Sequence, residues 1–208
     1  MIYLSVDVGI TNLALVKAIV ENFEIKSILD AKVINISQIQ HCKVPRNQCR
    51  LHHSNDVFDK LEHLFQEYAH LFANIDFLLI ERQPILGLVH VEQLLFGKFR
   101  SISRLVSPNA MHKWLGIGHL TYEMRKIETT RVAETFLNQC SSWISSGRLH
   151  DMADALCILL FTLHVDSVKH QSIADEKARK ERMQEDCPFD ENMTVDDFFE
   201  GFRFVQKQ

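Results

Sequence analysis

The sequence predicts an α/β domain on a mixed sheet: a three-strand antiparallel meander, extended by parallel strands and flanked by helices. Three observations predict it. Residues 2–36 hold three apolar strand-like runs separated only by short breaks. From residue 57 the apolar period changes to three and four, the mark of an amphipathic helix. Beyond that point short apolar runs alternate with helical stretches, the order that builds parallel pairs.

Taken in order, residues 2–7 (IYLSVD) read as a buried strand ending at Asp7, and Gly9 and Asn12 mark a tight turn. Leu13–Val20 and Ile25–Ile36 complete the meander. Val57, Leu61, Leu64, Phe65, Tyr68, Leu71 and Phe72 line one face of a helix that Ser54 or Asn55 could cap. Ile75–Ile80 is an apolar run of strand length that delivers Glu81 at its C-terminal end. Residues 86–100 read as an apolar helix, and Arg104–Ser107 as a short strand stopped by Pro108. Helices are expected over Asn109–Leu115 and Thr121–Cys140, around a glycine break at Gly116 and Gly118, and again over His150–Val165. Past about residue 170 the composition becomes charged, first as an exposed helix and then as an acidic, Phe-containing tail. The expected organisation is one α/β domain over 1–170 and a charged extension over 171–208.

Of the 208 residues, 46% are hydrophobic and 24% charged, which suits a globular domain and excludes a disordered chain or a fibre. The segment MIYLSVDVGITN lacks a basic leader, so no signal peptide is expected. The longest apolar run, Ala155–Phe161, is too short to span a bilayer. Five cysteines at 42, 49, 140, 157 and 187 form no disulfide framework, which suits a reducing compartment. A soluble, intracellular protein is the expectation. Its net charge of −4 lies entirely in residues 171–208, which leaves the body neutral. Within that body Lys98, Arg100, Arg104, Lys113, Arg125, Lys126 and Arg131 face only Glu123 and Glu128, and Lys43, Arg46 and Arg50 lie in an acid-free stretch. Such patches are compatible with a polyanionic partner and equally with solvated faces.

Three acidic positions break the core pattern: Asp7 at the end of the first strand, Glu81 at the end of the fourth, and the Asp151/Asp154 pair on the last helix. Each alone could be a surface residue where an element emerges. Together they point to metal, because crowded carboxylates repel one another unless a divalent cation cancels their charge. Magnesium takes oxygen ligands and keeps several waters, so a few acids suffice. Two such ions about 4 Å apart can activate water and stabilise the leaving oxygen of a phosphodiester.

SVDVGITN at 5–12, LLIERQP at 78–84 and HDMADALC at 150–157 resemble the Holliday junction resolvases of poxviruses, RuvC-like members of the ribonuclease H superfamily. The resemblance covers most of residues 1–165. It implies a ribonuclease H-like mixed sheet and endonucleolytic resolution of four-way DNA junctions in viral DNA replication and concatemer processing. It further implies the host-cell cytoplasm, and cutting two opposed strands of a junction argues for a two-fold homodimer. By resemblance Asp7, Glu81, Asp151 and Asp154 match the family's metal-binding carboxylates. They would hold two Mg²⁺, with Mn²⁺ able to substitute. The family places a basic residue against the scissile phosphate between its second and third motifs. Lys126 is assigned that role, with Arg125 or Lys113 as alternatives. Lys98, Arg100, Arg104, Lys113 and Arg125 are the expected DNA contacts. The helix 86–100 carries more apolar side chains than one core face needs, so it is the expected dimer surface.

Other features weigh less. His41, Cys42, Cys49, His52 and His53 form a Cys-x6-Cys-x2-His group, but a second ligand pair at short spacing is missing, so a solvated basic loop is favoured over zinc. His150 could steer a proton or simply start a helix. Trp114 and Trp143 lie in apolar settings and read as core, as do Cys140 and Cys157. The first motif alone also suits sugar kinases and Hsp70–actin ATPases, but these need a glycine-rich second phosphate loop and adenosine loop, for which Gly116-Ile-Gly118 is the only near match. A ribonuclease H acting on RNA–DNA hybrids, or a scaffold with an inert fold, are the remaining alternatives.

Overall fold

Five strands form one sheet in the order β3-β2-β1-β4-β5 in the computed structural model, which describes residues 1–9, 11–39, 45, 47–51, 53, 54, 56–85, 87–138, 143 and 147–185. β1 (Ile2–Val8), β2 (Asn12–Glu21) and β3 (Glu24–Asn35) are the antiparallel meander. β4 (Phe77–Glu81) runs parallel to β1, and β5 (Ser103–Val106) parallel to β4. The β1–β2 turn depends on Gly9, whose N–H donates to the Asn12 carbonyl at 2.9 Å. A Cβ there would stand 2.8 Å from that same oxygen, so no other residue fits without moving the hairpin.

Both faces of the sheet are covered, which explains why β1, β2 and β4 read as nearly continuous apolar runs. On one face Leu4, Val6, Leu13, Leu15, Leu78 and Ile80 pack with Leu61 and Leu64 of α1 (Val57–Glu67), Leu71 of α2 (Ala69–Phe72) and Val91 and Leu95 of α3 (Val89–Lys98). On the other, Tyr3, Ala14, Val16, Ala18 and Leu79 meet Met111 of α4 (Pro108–Trp114), Ala133 and Leu137 of α5 (Tyr122–Leu137) and the first half of α6 (Leu149–Glu185). Small residues let α6 approach closely: Ala153 and Ala155 are fully buried, and the Ser5 hydroxyl of β1 donates to the Ala155 carbonyl. That bond docks the helix two residues below Asp7 on the same strand face.

Several elements differ from expectation. The helix expected over 57–72 breaks at Tyr68, and the carbonyls of His70 and Ala73 are taken by the buried Lys17 ammonium at 2.9 and 2.8 Å. The cap of α1 is Asp56, while Ser54 bonds forward to the Asp59 carboxylate; Asn55 lies outside the described residues. α6 continues to Glu185 instead of stopping at Val165, since neither glycine nor proline occurs between Gly147 and Pro188. The apolar residues of 86–100 serve the core: Val91 and Leu95 are buried, and Leu88, Leu94, Phe96 and Phe99 pack against them. Their number therefore needs no second copy to cover it. Leu86 lies outside the described residues.

The chain divides into two compact units, Met1–Ser167 and Val168–Gln208. The second holds the later turns of α6, where Lys180 pairs with Glu176 at 2.8 Å on an exposed face. Among the described residues no helix is long and apolar enough to cross a membrane.

Candidate active site

Strand register brings the first two carboxylates together. Tyr3, Ser5 and Asp7 share one face of β1, and Phe77, Leu79 and Glu81 the same face of β4. Ser5 sits opposite Leu79 in the parallel ladder, so Asp7 and Glu81 are neighbours at the C-terminal ends of adjacent strands. Their carboxyls share a hydrogen bond. Because α6 begins at this end of the sheet, its first turns add Asp151 and Asp154, three residues apart and one turn ahead of the Ala155–Ile158 core contacts. All four acids, with Lys126, Arg125 and Arg148, line a pocket of about 580 Å³.

The acids are not equivalent. Burial, reinforced by the charge of Glu81, holds the Asp7 carboxyl well above the usual carboxylate range. Burial also raises Glu81, aided by the charge of Asp154 and opposed by hydrogen bonds from Asp7 and Gln83. Asp154 is raised to about 7 by burial and by the Asp7 charge, against a hydrogen bond from Thr129 and the charge of Lys126. Asp151 sits in the basic corner of the pocket: Arg148 donates to it, His150 Nε2 lies 3.0 Å away, and Lys126 Nζ lies 4.0 Å away. Burial lowers the His150 pKa, which favours its neutral ring.

Lys126 projects from α5, with its ammonium 4.6 Å from the Tyr122 ring centre. The helix is capped by Thr121, whose hydroxyl accepts from the Met124 N–H. One turn after Lys126, fully buried Thr129 turns its hydroxyl toward the Lys126 carbonyl and Asp154. Gln83 Nε2 donates to Glu81 Oε2 at 2.8 Å. These two residues fix carboxylate orientation without adding charge, and nothing in their sequence pattern marks them. Arg148 could have been found from its position two residues before the HDMAD motif.

The basic residues expected at DNA separate into groups. Arg125 lines the pocket, its guanidinium anchored on the Leu120 carbonyl at 2.7 Å. Lys113 is exposed on α4, beside pocket-lining His112. Lys98 and Arg100 flank the turn that feeds β5 from the opposite end of the sheet. Lys98 pairs with Glu62 at 2.7 Å, and Arg100 lies over Phe96. Arg104 pairs with Asp166 at 2.6 Å and lies over Phe77. The structure thus gathers the four acids with Lys126 and Arg125, and leaves Lys98, Arg100 and Arg104 outside the pocket.

Of the remaining candidates, Trp143 is buried, whereas Trp114 is 37% exposed and packs against Phe161 and His164. Burial pushes the Cys157 thiol up to about 12, which leaves it inert. His41, Cys42, His52 and Cys140 lie outside the described residues. Cys49 and His53 are described, and they meet a residue that sequence spacing did not flag, His63 of α1.

No family model matches the chain, and no curated protein matches its sequence. Solved structures do. The fowlpox virus resolvase, in complex with its substrate Holliday junction DNA, is similar with a TM-score of 0.54 at 16% identity, over 79% of this chain and 98% of that one. The yeast mitochondrial Holliday junction resolvase gives 0.53 at 18% identity, over 81% and 80%. RuvC of Thermus thermophilus gives 0.50 at 19% identity, over 80% and 96%. At such identities the likeness is one of architecture, and it agrees with the strand order and with helices on both faces: this chain has the ribonuclease H-like fold that these resolvases share.

Proposed function

We propose that the chain is a divalent-metal-dependent endonuclease that hydrolyses phosphodiester bonds in branched DNA, with the four-way junction as its substrate. One observation carries the reading. Four carboxylates from β1, β4 and α6 converge with the Lys126 ammonium in a single pocket of a fold shared with junction resolvases.

The donor set suits a hard cation. It is all oxygen, and Asp7, Glu81 and Asp154 are each held toward their protonated forms in the absence of added positive charge. A divalent cation would return them to carboxylates. Asp7, Glu81, Asp151 and Asp154 would hold Mg²⁺, as two ions, with Mn²⁺ able to substitute. These residues would hold the metal where it would lower the pKa of an attacking water and offset the negative charge on the phosphate oxygens. Gln83 and Thr129 hold Glu81 and Asp154 in fixed orientations. Lys126 meets the scissile phosphate, where its charge gains most as negative charge builds in the transition state. Arg125, Arg148 and Lys113 receive the flanking phosphates, which position the strand without reading its sequence.

A junction has two strands to cut, and a two-fold homodimer would present two such pockets. The resemblance of its motifs to those of poxvirus resolvases is the basis for placing this activity in viral DNA processing in the host-cell cytoplasm. The test is cleavage of a synthetic four-way junction with and without Mg²⁺. Asp7→Asn and Glu81→Gln should abolish cleavage and leave junction binding within a few-fold of wild type. Near wild-type turnover by either variant removes that residue from the site, and turnover by both overturns the proposal.

A further inference from the structure

Cys49, His53 and His63 come together on the other helical layer, on α1 and the segment that precedes it. Their ligand atoms, one per residue, all lie within 4.8 Å of one another. We propose that these three side chains bind a zinc ion that ties the 49–54 segment to α1.

The separation of Cys49 from His63 matches the chemistry. Zn–S and Zn–N bonds of about 2.3 and 2.0–2.1 Å at a tetrahedral angle separate sulfur from nitrogen by roughly 3.6 Å. Cys49 Sγ lies 3.6 Å from His63 Nε2. The His63 ring is already set for ligation. Its Nδ1 meets the Asp59 carbonyl at 2.8 Å, one turn back on the helix, and this contact requires the proton on Nδ1 and turns the Nε2 lone pair toward the thiol. The Leu51 N–H points at Cys49 Sγ, 3.4 Å away, a donor that stabilises a thiolate. The His53 ring stands 5.0 Å from the His63 ring, centre to centre, and tilted to it. One thiolate and two imidazoles form a borderline-soft set, which selects zinc and rejects the magnesium suited to the all-carboxylate pocket.

The segment is pinned at its other end as well. The Ser54 N–H and hydroxyl both donate to Asp59 Oδ2, at 2.9 and 2.5 Å. The fourth position of the tetrahedron falls to water or to a further donor. The spacing Cys49-x3-His53, then nine residues to His63, combines a loop pair with one residue from a helix. A search for two short-spaced pairs passes over it.

The experiment measures metal in the full-length protein after extensive dialysis, then adds Zn²⁺ or Co²⁺ alone. Wild type and Asp154→Asn should each retain about one zinc per chain. Cys49→Ser and His53→Asn should each lose it, with circular dichroism confirming that both remain folded. The cobalt-loaded wild type should show a thiolate-to-metal charge-transfer band that Cys49→Ser abolishes. Removing zinc from wild type should lower Tm, with full recovery on readdition. A wild type that takes up no zinc, or zinc retained by Cys49→Ser or His53→Asn, overturns the proposal. Loss of the zinc in Asp154→Asn would assign it to the carboxylate pocket and overturn it equally.

Discussion

Replacing Asp154 by Asn should stabilise the metal-free protein while removing a proposed metal ligand. Burial and the Asp7 charge raise this carboxyl from an ordinary 3.8 to about 7. A group whose folded pKa is raised keeps its proton in the folded state over a range where the unfolded chain has released it. Stability from Asp154 is therefore highest below about pH 4 and is lost as pH rises toward 7. Three pKa units at about 1.4 kcal/mol each set a ceiling near 4 kcal/mol. Solvent screening at the pocket mouth reduces that ceiling, so about 2 kcal/mol is the working figure. Asn keeps the shape and omits the ionisation. In a chelator at pH 8, Asp154→Asn should melt about 4–8 °C above wild type, and near pH 4 the difference should vanish. Added Mg²⁺ should raise the wild-type Tm more at pH 8 than at pH 5, and the variant's much less. Calorimetry across that pH range is the assay. A variant that melts below wild type at pH 8 without metal would refute the electrostatic reasoning, as would a gap independent of pH.

Lys126→Ala should lower the single-turnover cleavage rate by about 10²-fold or more with only a few-fold loss of junction affinity; equal losses would make it a positioning contact. Arg125→Ala should weaken binding and reduce the salt slope by about one, measured by titration at several salt concentrations. Lys98→Ala and Arg100→Ala should leave affinity within about two-fold, since both lie beyond the pocket, and a comparable slope change there would extend the DNA path to the far end of the sheet. Light scattering at micromolar concentration should give a dimer mass, and a monomer with and without DNA would remove the two-fold arrangement.

Much of the site is legible in the sequence because it is built from strand ends. An acid after an apolar run marks where a buried strand emerges, and two such strands running parallel emerge at the same end of the sheet. Asp7 and Glu81 follow from that. Asp151 and Asp154 follow from helical spacing, and Lys126 from its place between the motifs. What stayed hidden depends on partners distant in sequence. Thr129 and Gln83 act through single hydrogen bonds that no spacing encodes. His63 sits within the amphipathic period of α1 and joins Cys49 and His53 only when the preceding segment folds back. Lys98 and Arg100 look like a basic cluster in one dimension, whereas α3 carries them to the end of the sheet away from the carboxylates. The apolar excess of 86–100 looked like an interface because the second helical layer, which uses it, cannot be weighed from one segment.

The most direct test is to map the nicks that the wild-type protein makes in Mg²⁺ on a synthetic four-way junction and, separately, on an RNA–DNA hybrid duplex. The proposed function predicts paired, symmetrically placed nicks in opposed strands of the junction, lost in chelator, and an intact hybrid. Cutting of the hybrid with the junction left whole would contradict it and assign the same carboxylates to a ribonuclease.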